Sequence, residues 1–276
     1  MTTCSSTTDL RRARPLLGTL VEITLPASPH ARTAMEHAFG VIARVQTLMS
    51  AHDQASDLGR ISAARVGIGV SLDRWTWRVL AAAQHFAAIS DGAFDAVATA
   101  SQGNANWRDL ELLPDRRTVR CRRGLRLDLG GIAKGFAVDQ AVRVLRRAGL
   151  TWGLVNAGGD LRAFGRRSWP ISVRHPVQPG ALLPFGQIQN AACATSAPYF
   201  SRQTLENHVI SDLRNPLQGG FITATISVTV SAPTTIVADA LTKIMLIAPT
   251  NHEILLKSHR AHAWFHQPNQ EFRHAS

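Results

Sequence analysis

Little in this sequence points to covalent cross-linking or to a membrane. Its 276 residues include only three cysteines, Cys4, Cys121 and Cys193. They lie far apart with no short paired spacing, so neither a disulfide framework nor a thiolate zinc site is indicated. No stretch approaches the roughly 18 consecutive apolar residues of a membrane helix. Residues 1–14 are polar and then basic, without the apolar run a secretory signal requires, so the default expectation is a soluble cytoplasmic protein. Tyrosine occurs once against six tryptophans, and these form no spaced platform. The aromatic-interleaved basic stripe of a nucleic-acid binder is therefore missing, despite a formal net charge of +11. That charge is spread over many arginines, which suits phosphate-bearing ligands or an acidic partner.

With 45% hydrophobic residues the chain can bury a substantial core, near the upper size for a single one. Residues 18–25 alternate apolar and polar side chains at the period of a half-buried strand, and Pro26 ends it. From Ala31 to Ser50 the residues Met35, Ala38, Phe39, Ile42, Val45 and Met49 recur at helical spacing on one face. A second helix is expected over Asp73–Ile89, with residues 51–69 as an irregular connection and residues 101–108 as a polar loop. Residues 125–129 read as a strand broken by two glycines and followed by a helix over about 134–148. Further strands are expected at 151–157, 171–174 and 225–231, a last helix from near Pro233, and a C-terminal strand pair including 261–265. Helices and strands mix without steady alternation, so the fold class is α+β, with mixed or antiparallel sheets flanked by helices in a single compact domain. Domain boundaries are drawn at a flexible segment 1–14 and a domain spanning 15–270.

Three segments carry chemistry. Gly130-Gly131-Ile132-Ala133-Lys134-Gly135 places glycines at a strand-to-helix turn, where backbone can approach a ligand and helix N-terminal amides can face a phosphate. It has neither the glycine spacing of a dinucleotide-binding turn nor the Lys-Ser/Thr of a P-loop, and a plain tight turn explains it equally well. Val155-Asn156-Ala157-Gly158-Gly159-Asp160 runs a strand into two glycines and a carboxylate, close enough in sequence for both turns to share one sheet edge. Between Ala232 and Lys243, Asp239 and Thr242 sit three residues apart on one helix face and would suit Mg²⁺. An ordinary ion pair between Asp239 and Lys243 is the competing reading.

Taken together, Asp128–Asp139, Val155–Asp160, Ala194–Ser196, His208–Ile210 and Ser227–Ala240 resemble, in order and spacing, the FAD:protein FMN transferase (ApbE-type) family. The resemblance runs from Leu17-Gly18-Thr19 to the helix at Leu246. It implies an enzyme that cleaves the FAD pyrophosphate with Mg²⁺, passes FMN to a Ser or Thr hydroxyl of an acceptor flavoprotein and releases AMP. Carried over by position, Leu17, Ala93, Phe94, Asp95, Asp128, Lys134 and Ile210 would contact FAD. Gly131, Ala133, Asp239 and Thr242 would hold the metal, with Asp239 and Thr242 also serving catalysis.

The sequence departs from the family pattern in four places, one of them Ser56–Ser62, which lacks the Asn that the family usually carries after its Arg-Ile pair. The position four residues after Asp239, commonly Thr, is Lys243; its ammonium could stand in for the ion, leaving a non-catalytic FAD carrier as the alternative. Ala197-Pro198 replaces a usual Gly, and Ser211–Arg214 replaces the customary Asp-Pro-Arg-Thr. His208, Ser211 and Asp212 are too crowded for a hydrolytic triad. His259, His262 and His266 lack the acidic or cysteine companions of a zinc site.

Overall fold

The computed structural model describes residues 9–100, 105–175, 178, 180–198, 203–205, 208–210, 213–220, 222, 226–248, 252–267 and 273–275. Its first half runs β1 (Asp9–Leu16), β2 (Thr19–Pro26), α1 (Ala31–Met49), α2 (Asp57–Ala63), β3 (Gly69–Ser71), α3 (Arg74–Ile89), β4 (Val97–Ala100), β5 (Leu110–Leu113), β6 (Thr118–Cys121), β7 (Leu125–Leu127) and α4 (Ala133–Arg147). The second half runs β8 (Gly153–Ala157), β9 (Asp160–Phe164), β10 (Trp169–Arg174), β11 (Leu182–Ile188), β12 (Ala192–Ser196), β13 (Gln203–Leu205), β14 (His208–Ile210), β15 (Ser227–Ala232), α5 (Thr235–Ile247), α6 (His252–Ser258), β16 (His262–His266) and β17 (Arg273–Ala275).

Eight strands form one sheet in the order β1-β2-β8-β9-β12-β15-β16-β17, every neighbouring pair antiparallel. The fold is therefore α+β, built on antiparallel sheet. The apolar face anticipated for α1 is the buried one: Met35, Ala38, Phe39, Ile42, Val45 and Met49 all enter the main core. Around them pack Ile23 and Leu25 of β2, Val138 and Leu145 of α4, and Leu241 and Met245 of α5. On the opposite face Trp169, Ile171 and Ile188 of the β10–β11 hairpin cover Leu161, Ala163 and Cys193 in a smaller cluster.

Two sequence expectations are corrected here. Residues 51–69 contain a short helix, α2, whose start is fixed by Ser56: its Oγ accepts from the Gly59 amide at 2.9 Å. Short polar helices leave little periodicity to read, and the cap is the one local signal. Residues 9–14, set apart as a flexible segment, are most of β1, paired with β2 from Asp9↔Pro26 to Leu16↔Thr19. Four of its eight side chains are Arg11, Arg12, Arg14 and Asp9, so the strand lacks an apolar run, and its order comes from backbone pairing and from ion pairs such as Arg12 with Glu36 at 2.5 Å. Within the expected 101–108 loop, residues 101–104 lie outside the described residues. Among the described residues no helix is long and apolar enough to cross a membrane.

Candidate active site

Turns from distant parts of the chain meet at one end of the large sheet. The β1–β2 hairpin turns through Leu17 and Gly18, with φ of 56° and 70°. Half-buried Leu17 is held there by its amide, which donates to Gln46 Oε1. The β8–β9 turn passes through Gly158, at φ +66°, and lies so close that a Cβ there would come within 2.4 Å of Thr19 Oγ1. The two glycine turns anticipated at a common edge are brought together by Lys134, whose Nζ sits 3.2 Å from Asp160 Oδ2. The Lys134 ammonium also donates to the Gly130 carbonyl at 3.1 Å.

The segment 128–135 is a helix entrance built from local bonds. Asp128 Oδ1 accepts from the Gly130 amide at 2.7 Å, and the Ile132 and Ala133 amides return to the Leu129 carbonyl. The Gly131 amide donates to none of the described groups. A side chain at Gly131 would meet Phe94 Cε2 at 3.3 Å and Lys243 Cε at 3.5 Å, so Phe94 and Lys243 form the walls of a narrow space over that turn. Gly135 is needed for a different reason. Its Cβ would fall 2.5 Å from the Thr235 carbonyl oxygen, and the absence of one lets α4 and α5 approach until the Gly135 amide reaches Asp239 Oδ2 at 3.0 Å.

Asp239 is fully buried, and both of its oxygens are engaged: Oδ2 by that amide and Oδ1 by the Lys243 ammonium one helical turn later. Thr242 turns away from this pair. Its hydroxyl donates to the Asp239 carbonyl oxygen at 2.7 Å and shares a second 2.7 Å hydrogen bond with Ser196 Oγ on β12. The chain has only three lysines, Lys134, Lys243 and Lys257, and two of them stand here against Asp128, Asp160 and Asp239.

This clustering sets the protonation states. Burial would push the Asp239 carboxyl up, but the Lys243 and Lys134 ammonium groups outweigh it and hold Asp239 below its ordinary value. Asp160 is pushed up, first by burial and then by the charge of Asp239, against the pull of Lys134 and Lys243. Lys134 is raised, chiefly by Asp160 and despite its own burial. The site thus keeps a firm ammonium at Lys134 and a firm carboxylate at Asp239, with a second carboxyl, Asp160, that ionises less readily.

The remaining predicted residues fall around this centre. Ala93 is fully buried, and Phe94 is 5% exposed while packing on Phe86 with ring centroids 6.2 Å apart. Asp95 clamps a loop: its oxygens accept from the Val97 amide at 2.8 Å and the Trp107 amide at 3.0 Å. Ala133 is buried at the first turn of α4. Ile210 ends β14, and its side chain lies outside the described residues. Two residues not singled out for the site prove central: Asp160, the last residue of the second glycine segment, and Asp139, which anchors α5. Asp139 accepts from the Thr235 and Ile236 amides, each at 3.0 Å, and also pairs with Arg162. A carboxylate on a buried helix face, closing the first recognisable motif, was the available signal.

The donor set does not fit magnesium in this arrangement. Mg²⁺ needs oxygen donors free to turn toward it, whereas Asp239 carries an ammonium and an amide and the Thr242 hydroxyl is spent on Asp239 and Ser196. Among the described residues there is no group of three or more His, Cys, Asp or Glu able to hold a metal ion.

Comparison with known proteins gives a consistent answer. A sequence model of the ApbE family matches residues 17–265. The FAD:protein FMN transferase of Treponema pallidum is 28% identical over 84% of this chain and 77% of its own length. The Escherichia coli K12 protein of the same name is 30% identical over 45% of this chain, a match spanning 38% of that protein. Among solved structures, the ApbE protein of Thermotoga maritima superposes with a TM-score of 0.86 at 23% identity, covering 98% of this chain and 97% of that one. The flavin transferase ApbE of Vibrio cholerae gives 0.81 at 19% identity, covering 97% and 96%.

Proposed function

The chain belongs to the ApbE family, and from that premise we propose that it is a flavin transferase that moves FMN from FAD to a Ser or Thr hydroxyl of an acceptor flavoprotein. The hydroxyl oxygen forms a new bond to the FMN phosphorus, the bond from that phosphorus to the bridging oxygen breaks, and AMP leaves with that oxygen. The hydroxyl proton passes to water in the same exchange. Such chemistry rests on positioning and charge neutralisation rather than on a strong protein nucleophile. The observation that carries the reading is the pair of lysines at the Gly131 turn: Lys134 donates to the Gly130 carbonyl, and the Lys243 side chain passes 3.5 Å from where a Gly131 Cβ would lie.

On this reading the flavin nucleotide lies over Gly131 against Phe94, with Leu17, Ala93, Asp128 and Ile210 completing its surroundings and Asp95 holding the loop beside it. Lys134 and Lys243 meet the pyrophosphate. Each ammonium has three donors, and neither spends all of them on the protein. Asp239 and Thr242 act as positioning residues: Asp239 fixes the Lys243 ammonium, and Thr242 locks α5 to β12 through Ser196. Magnesium, expected at Asp239 and Thr242 with Gly131 and Ala133, has no place in this proposal, because Lys243 already supplies a cation at Asp239.

That same pair favours a second reading, a non-catalytic FAD carrier. Mixing the protein with FAD and an acceptor bearing a surface Thr, in EDTA and in Mg²⁺, separates the two. Covalent flavin with stoichiometric AMP in EDTA supports the transferase. Bound FAD without AMP under either condition supports the carrier, and no FAD binding at all rejects both.

A further inference from the structure

A second concave site lies on the other side of α4. It is a groove of about 590 Å³, within the usual range of small-molecule sites. Five arginines line it: Arg78 of α3, Arg143, Arg146 and Arg147 of α4, and Arg162 of β9. It runs along α4 from Phe136 to Arg147, and none of Phe94, Gly131, Lys134, Asp239 or Lys243 lines it, so it is a surface distinct from the flavin site.

Among the described residues, the charge in this groove is not neutralised. Asp139 is the one acid lining it, and its oxygens are taken by Arg162 and by the Thr235 and Ile236 amides. Among the described residues Arg143 donates to the neutral Gln140 Oε1 at 3.1 Å, and Arg146 donates to the neutral Asn190 Oδ1 at 2.6 Å and lies 5.7 Å over the Phe164 ring, with no acid paired to either. The guanidiniums of Arg78 and Arg147 make no ion pair among the described residues. Arg162 keeps a buried Nε without an acceptor. Burial, followed by the charges of Arg78 and Arg147, lowers Arg143, and burial followed by Arg162 lowers Arg146. Arginines crowded in this way repel one another unless an anion bridges them, and the planar guanidinium matches phosphate oxygens in pairs. The floor is apolar, formed by Phe136, Val142 and Ile236.

We propose that this groove is a binding site for a small molecule carrying two or more phosphate groups, separate from the flavin site. A concave pocket with an apolar floor favours such a ligand over the flat acidic face of a protein. The ligand is either an inorganic polyphosphate, held by the arginines alone, or a nucleoside polyphosphate whose base rests against the half-buried Ile236.

The test is calorimetric titration of inorganic tripolyphosphate and of ATP, at fixed ionic strength and with FAD present. It compares the native protein, Arg143→Gln/Arg147→Gln, and a control, Arg65→Gln/Arg122→Gln, that removes the same charge from exposed positions elsewhere. One molecule bound per chain is expected, weakened at least tenfold in the groove variant and less than twofold in the control, with FAD affinity equal in all three. ATP binding more tightly than tripolyphosphate identifies a nucleotide, and equal binding identifies the inorganic anion; both support the site. Equal losses in groove and control variants would reduce the effect to diffuse charge and overturn it. So would absence of binding, or preference for a polyglutamate peptide over both phosphates. If FAD fails to bind all three proteins while tripolyphosphate behaves as expected, the flavin reading falls and the groove stands.

Discussion

At the scale of single residues, the sequence left open whether Asp239 serves a metal or Lys243, and the geometry favours the lysine. Local spacing was compatible with both, because a carboxylate with Thr at three and Lys at four residues puts both partners on one helical face. What decided between them was distant: Ser196 on β12 and the Gly135 amide take up the hydroxyl and the second carboxylate oxygen, and no pattern around Asp239 reveals that. Lys243→Thr should therefore leave a buried carboxylate without its counter-ion, a loss of about 3 kcal/mol. Thermal unfolding of this variant should come several degrees below the native protein in EDTA and recover in part with Mg²⁺, while the native protein is indifferent to Mg²⁺; equal indifference in both would remove Lys243 from the cation's role. A second residue-level expectation concerns Cys193. Burial, with the nearby Asp160 charge, pushes its thiol up to about 12, so almost no thiolate exists at pH 8.5. Iodoacetamide should leave the Cys193 peptide unmodified in the native protein and label it in guanidinium. Because the folded thiol holds its proton above the unfolded value, its contribution to stability is complete below about pH 9. It is lost as pH rises toward 12, and Cys193→Ala should flatten that alkaline decline.

At the scale of elements, the long amphipathic helices were legible because one face of each buries a periodic apolar row, and α1, α3 and α4 fall where the spacing put them. The short strands β3, β5 and β6, and the helices α2 and α6, were not anticipated. Each is seven residues or fewer, too short for a period to repeat, and β3 finds its partner in β6, far along the chain. The placement of α5 was equally hidden, since it depends on Asp139, ninety-six residues away from Thr235. Asp139→Ala removes the acceptor for two backbone amides and a hydroxyl and unpairs Arg162. A loss of about 3 kcal/mol is expected in urea unfolding, with faster hydrogen exchange at the first turn of α5. Asp139→Asn, which keeps an acceptor oxygen, should cost less than half as much. Gly135→Ala acts on the same contact by wedging α4 from the Thr235 carbonyl. Overpacking of this kind costs about 1–3 kcal/mol, and FAD affinity measured by flavin fluorescence should fall because Asp239 and Lys243 move with α5.

At the scale of the whole molecule, the α+β class was readable from the irregular mixture of helix and strand signals, but the eight-stranded order was not. Neighbours such as β2 and β8 are joined only by long-range pairing, Val21↔Ala157 through Thr24↔Leu154, and a single sequence carries no record of who pairs with whom. The edge strand shows the consequence most clearly. β1 is so charged that it reads as a tail, yet it covers the full length of β2. Its arginines serve two purposes there: Arg11 and Arg12 tie the strand to Glu22 and Glu36, and a charged outer edge discourages pairing with another chain. If β1 were dispensable, a chain beginning at Leu17 would keep its unfolding midpoint. The pairing predicts the opposite. Without β1 the backbone groups of β2 that face it are unpaired, Leu17 begins the chain without its turn, and the flavin site loses the hairpin that sets Thr19 against Gly158. The shortened protein should unfold at lower temperature, elute partly as larger species in size-exclusion chromatography, and bind FAD more weakly. An unchanged midpoint with unchanged FAD affinity would show that the sheet effectively begins at β2.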